Sequence, residues 1–269
     1  MFSIKPRVPS LSRAPSDSPG VRVQNATIVR GLEEKMARIQ GALKGDEPSI
    51  VYQPIYWLEP RRIVGLECLS RFSATTTRTP SQWFADAVEV GMAVPLELKA
   101  IRKALEGLPA VPDFFLAVNA STETILSGGL ENVLADMETD RIVLEITEHT
   151  RVPDYNKLIR ALEPLRRRSV RIAVDDVGAG FPNMRHIISL HPELIKLDSS
   201  LIRSIDTNSS RRALVSAMVS FAKETGSQIV AEGVETANEI NVLKALGITT
   251  AQGYLLARPV RLAIAARLL

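Results

Sequence analysis

The chain has 269 residues, of which 45% are hydrophobic and 23% are charged, with a formal net charge of +3 and a sequence pI of about 9.1. No apolar run is long enough to cross a bilayer, so we expect no membrane segment. The mild basic excess lacks the dense Lys/Arg stripe of proteins that bind DNA or RNA duplexes. A single cysteine, Cys68, excludes an internal disulfide and a thiolate zinc site.

Residues 1–25 are rich in Ser, Pro and Arg and lack the apolar core of a secretory signal. We therefore predict that they form a disordered leader or linker and that the protein is cytoplasmic. From about Ala26 to Lys44, apolar residues recur at helical spacing with charges between them, which predicts an amphipathic helix leading into the domain. Residues 26–269 are predicted to form one domain.

The remaining sequence alternates between apolar strand-like segments and helical patterns. Eight segments predict strands: Ile50–Trp57, Ile63–Phe72, Phe114–Asn119, Ile142–Thr147, Val170–Asp175, Leu194–Asp198, Gln228–Glu232 and Ala251–Leu256. Helical patterns between them include Gln82–Val90, Leu96–Leu108, Tyr155–Arg167, Arg211–Thr225 and Ala237–Leu246. This alternation favours parallel strands and an α/β fold, a modified TIM-like (β/α)₈ barrel. Only residues 58–62 separate the first two strands, too few for a crossover helix, so we predict an antiparallel first strand.

The segment from Val170 to Gly180 is an apolar run that ends in Asp175 and Asp176 and continues into a glycine-flanked turn. Such a run is typical of a buried parallel strand. Two adjacent carboxylates at its carboxyl end repel each other and require a shared proton or cations, and such a pair suits the bridging of two metal ions. The alternative is an Asp-Asp turn whose side chains cap the next helix.

Polar residues also interrupt the other predicted strands, near the end at which barrel enzymes bind their substrates. They are Gln53, Glu67, Arg71, Asn119, Glu145, Glu148, Lys196, Asp198, Glu232, Glu235 and Gln252. Any one carboxylate among them could belong to a structural ion pair, but so many acids would be costly to bury without shared cations. Because the set offers oxygen ligands and contains neither a histidine nor Cys68, it favours Mg²⁺ or Mn²⁺.

Lys196 lies among apolar residues in a predicted strand, where its ammonium group needs a partner. It could hold a water molecule or stabilise charge that develops on a phosphate. Its structural alternative is a buried salt bridge to Asp198 or Asp175.

Eight ordered motifs between about Leu32 and Pro259 resemble those of the EAL-domain cyclic di-GMP phosphodiesterases of bacteria. The motifs are Tyr52–Ile55, Gly65–Arg71, Val118–Ser121, Leu144–Glu148, Asp175–Gly180, Ile195–Asp198, Ala231–Thr236 and Gln252–Tyr254. The resemblance implies a barrel whose first strand runs against the others and an enzyme that opens one phosphodiester bond of cyclic di-GMP to give linear pGpG. It also implies a homodimer, which would give the first helix a surface on which to bury its apolar stripe.

The resemblance implies roles for individual residues as well. Two divalent metals, Mg²⁺ or Mn²⁺, would be bound by Glu67, Asn119, Glu145, Asp175, Asp176 and Glu232. Lys196 would contact the catalytic water, and Glu67 and Glu232 would act with it in catalysis. Five further residues would line the substrate site or support the metal ligands, namely Gln53, Leu69, Arg71, Glu235 and Gln252. Glu148 would anchor the loop after the aspartate pair.

The chain departs from the family motifs in the Gly65–Arg71 segment and in the loop after Asp175 and Asp176. Cys68 replaces the signature alanine, and Val177 and Ala179 replace a phenylalanine and a threonine. A second hypothesis is a catalytically idle cyclic di-GMP receptor or a protein-interaction module. Such members typically lose metal ligands and this chain keeps them, so an enzyme is favoured. A sugar-phosphate barrel enzyme is disfavoured because no glycine-rich phosphate loop follows the last two predicted strands.

Overall fold

The computed structural model describes residues 19–73, 77–146, 152, 154–178 and 183–267. In this part of the chain eight strands close into one barrel in sequential order. They are β1 (Ser49–Leu58), β2 (Arg61–Arg71), β3 (Phe115–Asn119), β4 (Ile142–Ile146), β5 (Arg171–Val177), β6 (Leu194–Leu197), β7 (Gln228–Ala231) and β8 (Thr250–Ala251). β1 runs antiparallel to both β2 and β8, and the other neighbours pair in parallel. The predicted α/β barrel with an antiparallel first strand is confirmed.

The described helices are α1 (Pro19–Lys44), α2 (Pro80–Glu89), α3 (Ala93–Leu105), α4 (Thr122–Leu126), α5 (Gly129–Leu134), α6 (Tyr155–Arg167), α7 (Asn183–Leu190), α8 (Ser199–Ile202), α9 (Ser209–Thr225), α10 (Ala237–Ala245) and α11 (Leu262–Ala265). Each helix predicted from periodicity is present, most of them with shifted ends. The short helices have too few turns for a helical period to stand out in the sequence. No helix among the described residues has the length and apolar character needed to span a membrane.

α1 begins at Pro19, earlier than the predicted helix start at Ala26. Proline is tolerated in the first turn of a helix because the N–H it lacks would have no acceptor within the helix. Residues 1–18, which hold the rest of the predicted leader, lie outside the described residues.

The C-terminal half of α1 is held against α2 and α3. Its Ile39 packs in a cluster with Trp83 of α2 and Leu96 of α3. The ammonium group of Lys99 on α3 donates to carbonyl oxygens at the end of α1, including that of Ala42 at 2.7 Å. Between residues 28 and 36, α1 also carries exposed apolar side chains, namely Ile28, Val29, Leu32 and Met36.

β8 is shorter than predicted and spans Thr250–Ala251 instead of Ala251–Leu256. Beyond it the backbone turns, and the N–H of Ala257 donates to Gly253 O at 3.0 Å. Gly253 packs so closely on Val234 that an added Cβ would lie 2.2 Å from the Val234 nitrogen and oxygen. This close approach packs the chain that follows β8 against the loop that follows β7.

The barrel interior contains an apolar layer made by Ile55, Phe115, Ala117, Val143, Ala173, Leu194 and Val230. Because side chains alternate along a strand, residues two positions further on face the same interior. On β4, β5 and β6 these residues are Glu145, Asp175 and Lys196. The apolar layer is therefore the floor of a polar layer at the carboxyl end of the parallel strands.

Candidate metal centre

Lys196 of β6 is the centre of this polar layer, and its side chain is about 1% exposed. Its Nζ atom lies 2.7 Å from Glu145 Oε1 and 2.9 Å from Glu232 Oε1. It also lies 3.2 Å from Asp175 Oδ2 and 3.5 Å from Glu67 Oε1. One ammonium group is thus surrounded by carboxylates from β2, β4, β5 and the residue after β7.

The buried salt bridge predicted as the alternative role of Lys196 is present with Asp175 and absent with Asp198 among the described contacts. The Oδ1 atom of Asp198 accepts the backbone N–H of Ser200 at 2.9 Å and caps the start of α8. Burial raises the pKa of Asp198, but its hydrogen bonds with Ser199 and Ser200 outweigh that effect and lower it. A helix cap uses this carboxylate, because the first N–H groups of a helix lack acceptors within it.

The acidic residues form two neighbouring groups that share Asp175. In the first group, oxygens of Glu67, Glu145 and Asp175 all lie within 4.8 Å of one another. In the second, oxygens of Asp175, Asp176 and Glu232 lie equally close. Two acidic groups with a shared member suit two closely spaced divalent cations, since one carboxylate can contact both.

The aspartate pair reaches one face of the barrel because β5 is irregular there. On a regular strand, adjacent side chains point to opposite faces. The pairing of β5 with β6 shifts between Val174 and Val177, and Asp176 has a positive φ of 56°. Asp175 Oδ1 accepts the N–H of Asp176 at 2.8 Å. A bulge of this kind redirects a side chain, and aspartate tolerates the left-handed region better than most residues.

Burial and neighbouring charges shift the pKa values of this site. Burial would lower the pKa of Lys196, but the surrounding carboxylates outweigh burial and raise it well above its usual value. Burial raises the pKa of Glu145 and of Glu232 well above the usual range, against the opposing charge of Lys196. Glu145 Oε2 is buried and has no hydrogen-bond partner among the described residues. Such an atom calls for an explanation, and a bound cation supplies one.

The charges of the site match two divalent cations. When ionised, its five carboxylates and one ammonium group leave four negative charges; the groups are Glu67, Glu145, Asp175, Asp176, Glu232 and Lys196. Two divalent cations carry four positive charges. The donors are carboxylate oxygens, which hard cations such as Mg²⁺ and Mn²⁺ prefer. The residues present therefore fit the metals expected from the sequence.

Gln252, predicted to contact substrate or to support the metal ligands, contacts two carboxylates of the site. Its Nε2 atom donates to Glu67 Oε2 at 2.5 Å and to Glu232 Oε1 at 2.9 Å. These acceptors belong to different acidic groups. The amide of Gln252 therefore links the two groups.

Asn119 and Gln53 lie on strands next to those that carry the acids. Asn119 ends β3 and is the register partner of Glu145 on β4. Gln53 on β1 is the register partner of Glu67, and its amide donates to Ala257 O at 3.2 Å. Both are thus placed at the carboxyl end of the barrel by strand register.

A cavity of about 860 Å³ opens between β2, β3 and the helices α2 and α3. Leu69 and Arg71, near the end of β2, line it together with Asn119 and mainly apolar side chains. One guanidinium nitrogen of Arg71 donates to Ser70 O at 2.8 Å. Because Asn119 and β2 belong to both regions, the cavity and the acidic site are neighbours.

Glu235 is described but is not brought into the acidic site. Glu235 lies on the loop after β7, where its Oε1 atom is 2.7 Å from a guanidinium nitrogen of Arg203 and its side chain is 48% exposed. Glu148, predicted to anchor the loop after the aspartate pair, lies outside the described residues, as does Ala179 in that loop.

Glu97 of α3 is close to the site but is not among the residues predicted from sequence. Its carboxylate accepts the Ser121 N–H and the hydroxyl groups of Ser121 and Thr124. Burial raises the pKa of Glu97, although these hydrogen bonds oppose the shift. The available signal is that Glu97 is the single acidic residue of a helix whose other charged residues are basic.

A family model described as EAL domain matches residues 36–259. The chain is 29% identical over 236 residues to the bifunctional diguanylate cyclase/cyclic di-GMP phosphodiesterase MucR of Pseudomonas aeruginosa, covering 82% of this chain and 34% of MucR. The solved structure of the EAL enzyme Bd1971, bound to cAMP and cyclic di-GMP, has a TM-score of 0.79 at 25% identity and covers 94% of this chain and 76% of that chain. BlrP1 of Klebsiella pneumoniae, in a manganese and cyclic di-GMP complex, has a TM-score of 0.72 at 25% identity, with 91% and 67% covered.

The chain spans about a third of the length of the first curated relatives it matches. It covers 29% of the uncharacterized protein y4lL of Sinorhizobium fredii and 34% of MucR. The similarity therefore concerns one region of each of these longer proteins.

Proposed function

Because the chain belongs to the EAL domain family, whose model matches residues 36–259, we propose that it is a phosphodiesterase that hydrolyses cyclic di-GMP to linear pGpG with two Mg²⁺ or Mn²⁺ ions. The observation that carries the proposal is the pair of acidic groups that share Asp175 around Lys196. Each position that the family motifs use for a metal ligand holds an oxygen donor in this chain. The proposal includes a cytoplasmic role in bacterial second-messenger signalling.

The metals would be held by the two acidic groups, with Asp175 common to both and Asn119 as the amide ligand. When bound, such a pair of ions supplies an activated water and stabilises charge on the phosphodiester oxygens. The carboxyl groups of Glu145 and Glu232, whose pKa values burial raises, would have to be deprotonated to hold the ions.

Lys196 supplies a fixed positive charge. Four carboxylates lie within 3.5 Å of its Nζ atom, so the ammonium group is placed to donate hydrogen bonds. From this position its N–H bonds can orient a water molecule or a phosphate oxygen. Gln252 donates to Glu67 and Glu232 and so holds one carboxylate of each acidic group in place.

The neighbouring cavity is the proposed substrate site. Its volume of about 860 Å³ falls within the range of pockets that hold small molecules, roughly 300–1,000 Å³. Its wall combines apolar side chains, such as Leu69 and Phe84, with the guanidinium group of Arg71. Apolar surface suits the face of a purine base, and a guanidinium group suits a phosphate. The substrate or supporting roles of Gln53 and Glu235 and the anchoring role of Glu148 belong to the same proposal.

The test is incubation of the purified chain with cyclic di-GMP and Mn²⁺, followed by chromatographic measurement of pGpG. We expect pGpG to accumulate with Mn²⁺ and not after chelation with EDTA. Equilibrium dialysis with labelled cyclic di-GMP, run in parallel, reports binding independently of hydrolysis. Binding without pGpG formation would overturn the enzyme proposal in favour of a receptor.

A further inference from the structure

The turn that follows Asn119 is held by a carboxylate from a different element. Glu97 on α3 accepts the backbone N–H of Ser121 at 2.5 Å and the Ser121 hydroxyl at 2.6 Å. It also accepts the hydroxyl group of Thr124 at 2.5 Å. Both carboxylate oxygens are used, so Glu97 clamps the start of α4 onto α3.

The same turn is fixed on its other side by the neighbouring strand. Ser121 Oγ caps α4 by accepting the N–H of Thr124 at 3.2 Å. The N–H of Ala120 donates to the backbone oxygen of Glu145 at 2.9 Å. The backbone on either side of Asn119 is thus fixed, by strand pairing with β4 at Asn119 and Ala120 and by the Glu97 carboxylate at Ser121.

α3 is itself well supported, which makes it a firm base for the clamp. On its other side Lys99 donates to carbonyl oxygens at the end of α1, and Lys103 pairs with Asp46 at 2.7 Å. Packing alone would not need a carboxylate at Glu97, because burying a charge is unfavourable unless donors surround it. The donors that surround it are Ser121, in the turn after Asn119, and Thr124, in the first turn of α4.

We propose that Glu97 is a positioning residue that holds the β3–α4 turn so that the Asn119 amide is presented to the divalent cation. This inference rests on the proposed function, in which Asn119 is a metal ligand. Groups that orient metal ligands are typically worth 10- to 100-fold in metal affinity. Glu97 also lines the neighbouring cavity, but both of its carboxylate oxygens are engaged with Ser121 and Thr124, so we assign it the role of holding the turn.

The experiment is a titration of the full chain with Mn²⁺ alone, followed by electron paramagnetic resonance of the free ion. We expect Glu97→Ala to weaken Mn²⁺ binding about tenfold or more. The double variant with Asn119→Ala should bind no more weakly than Asn119→Ala by itself, since both changes remove the same ligand. Glu97→Gln keeps an acceptor oxygen for the Ser121 N–H and an amide that can donate to the hydroxyl groups, so it should restore most of the affinity.

Two further variants serve as a control and as a substitute for Glu97→Ala. Glu106→Ala removes an exposed carboxylate at the end of α3 and should leave Mn²⁺ binding unchanged. If Glu97→Ala does not fold, Thr124→Val removes one donor to the same carboxylate and should weaken binding about two- to tenfold. Unchanged Mn²⁺ affinity in Glu97→Ala, with only a lower thermal midpoint or a higher KM, would overturn the positioning role.

The outcomes also separate this inference from the proposed function. Mn²⁺ binding by the parent chain without pGpG formation would overturn only the proposed function, and the effect of Glu97→Ala on Mn²⁺ affinity would still decide the inference. Absence of Mn²⁺ binding by the parent chain would overturn both.

Discussion

Lys196 and Glu145 form an ion pair in which both side chains are about 1% exposed and 2.7 Å separates Nζ from Oε1. Buried charges are tolerated only where surrounding groups compensate them. Here Glu67, Asp175 and Glu232 also lie within 3.5 Å of Nζ, so negative charge is in excess around a single ammonium group. The negative charge of the site is therefore compensated either by protons on Glu145 and Glu232, whose pKa values burial raises, or by further bound cations.

Replacing Lys196 by methionine should make the stability of the fold depend on divalent cations. The change removes the ammonium group that four carboxylates share, and breaking a buried ion pair typically costs about 3–5 kcal/mol. We expect a loss of this order in the free energy of unfolding of the metal-free variant and a larger gain on addition of Mn²⁺ than in the parent. Urea unfolding with and without Mn²⁺ measures both quantities. Lys103→Met is the matched control, and an equal loss in both conditions would contradict the charge argument.

Glu67→Gln should abolish most turnover while leaving the fold intact, because it removes a charge without changing volume. Glu67 belongs to the first acidic group and would contact a metal directly. Loss of a residue that only orients a metal ligand lowers metal affinity or activity about 10- to 100-fold, so loss of a ligand should cost at least as much. We therefore expect kcat/KM to fall at least about 100-fold, and fewer Mn²⁺ ions to bind per chain. Measurement of pGpG formation and of Mn²⁺ stoichiometry checks both, with the exposed Glu106→Gln as control. A rate within a few-fold of the parent would show that Glu67 is not a ligand.

Turnover should require Mg²⁺ or Mn²⁺, and Ca²⁺ should inhibit. Ca²⁺ takes six to eight ligands at about 2.3–2.6 Å, whereas Mg²⁺ demands octahedral geometry at about 2.0–2.1 Å. A compact set of carboxylates whose oxygens lie within 4.8 Å of one another suits the smaller ions. The measurement is pGpG formation after exhaustive chelation and add-back of each ion at matched ionic strength. Full activity in the chelated protein would eliminate the two-metal proposal.

The barrel and its acidic residues could be predicted because both follow from local sequence. Glu145 and Asp175 each follow an apolar strand residue by two positions, namely Val143 and Ala173. Because side chains alternate along a strand, this spacing predicts that both acids face the barrel interior above the apolar layer. The end of β8 could not be predicted, because the chain beyond it packs against Val234 in the loop after β7, a contact that the local sequence around Gly253 does not indicate. The role of a glycine of this kind depends on what packs against it.

The partners of charged side chains were predictable only in part. Asp175 was a foreseeable partner for Lys196, but the other three carboxylates come together only when β2, β4 and β7 close into one barrel. Glu97 stands out locally as the single acidic residue of α3, but this does not reveal its role, since the groups that donate to it lie 24 and 27 residues away in sequence. Contacts of this range depend on which helix lies over which strand, and sequence spacing does not encode that.

We expect a homodimer in which the exposed apolar stripe of α1 is buried. Ile28, Val29, Leu32 and Met36 are 56%, 53%, 38% and 41% exposed, respectively. Full burial of such a side chain contributes about 1.5–3 kcal/mol, so Leu32→Lys with Met36→Lys should raise the dimer dissociation constant at least about tenfold. The thermal midpoint of the monomer should change little, because both side chains are already exposed.

Analytical ultracentrifugation over a range of concentrations measures this effect. Arg30→Gln on the same helix is the control, since Arg30 is 81% exposed and pairs only locally with Glu34 among the described contacts. A parent chain that stays monomeric would contradict the dimer, and a dimer that resists both lysines would place the interface on another face.

Glu239 holds the loop that carries Glu232, and its loss should destabilise the fold. Its carboxylate accepts the N–H groups of Ser204 and Glu235 at 2.9 Å and of Thr236 at 3.0 Å, which joins the start of α10 to the turn before α9. Glutamine in its place offers a single acceptor oxygen, so at least one of these N–H groups loses its partner. We expect Glu239→Gln to lower the free energy of unfolding by about 1–3 kcal/mol near neutral pH.

The pH dependence of this loss distinguishes charge from packing. Burial raises the pKa of Glu239, but its hydrogen bonds with Glu235, Ser204 and Thr236 outweigh burial and lower the folded-state pKa. Since the folded value lies below the unfolded value of about 4.3, the stabilisation is present above that pH and is lost as pH falls through the folded pKa. The difference in unfolding free energy between parent and Glu239→Gln should thus be constant from about pH 6 to 8 and shrink below about pH 4. Urea unfolding across this range measures it, with the exposed Glu224→Gln as control. A difference that does not change with pH would show that Glu239 acts through its shape and not through its charge.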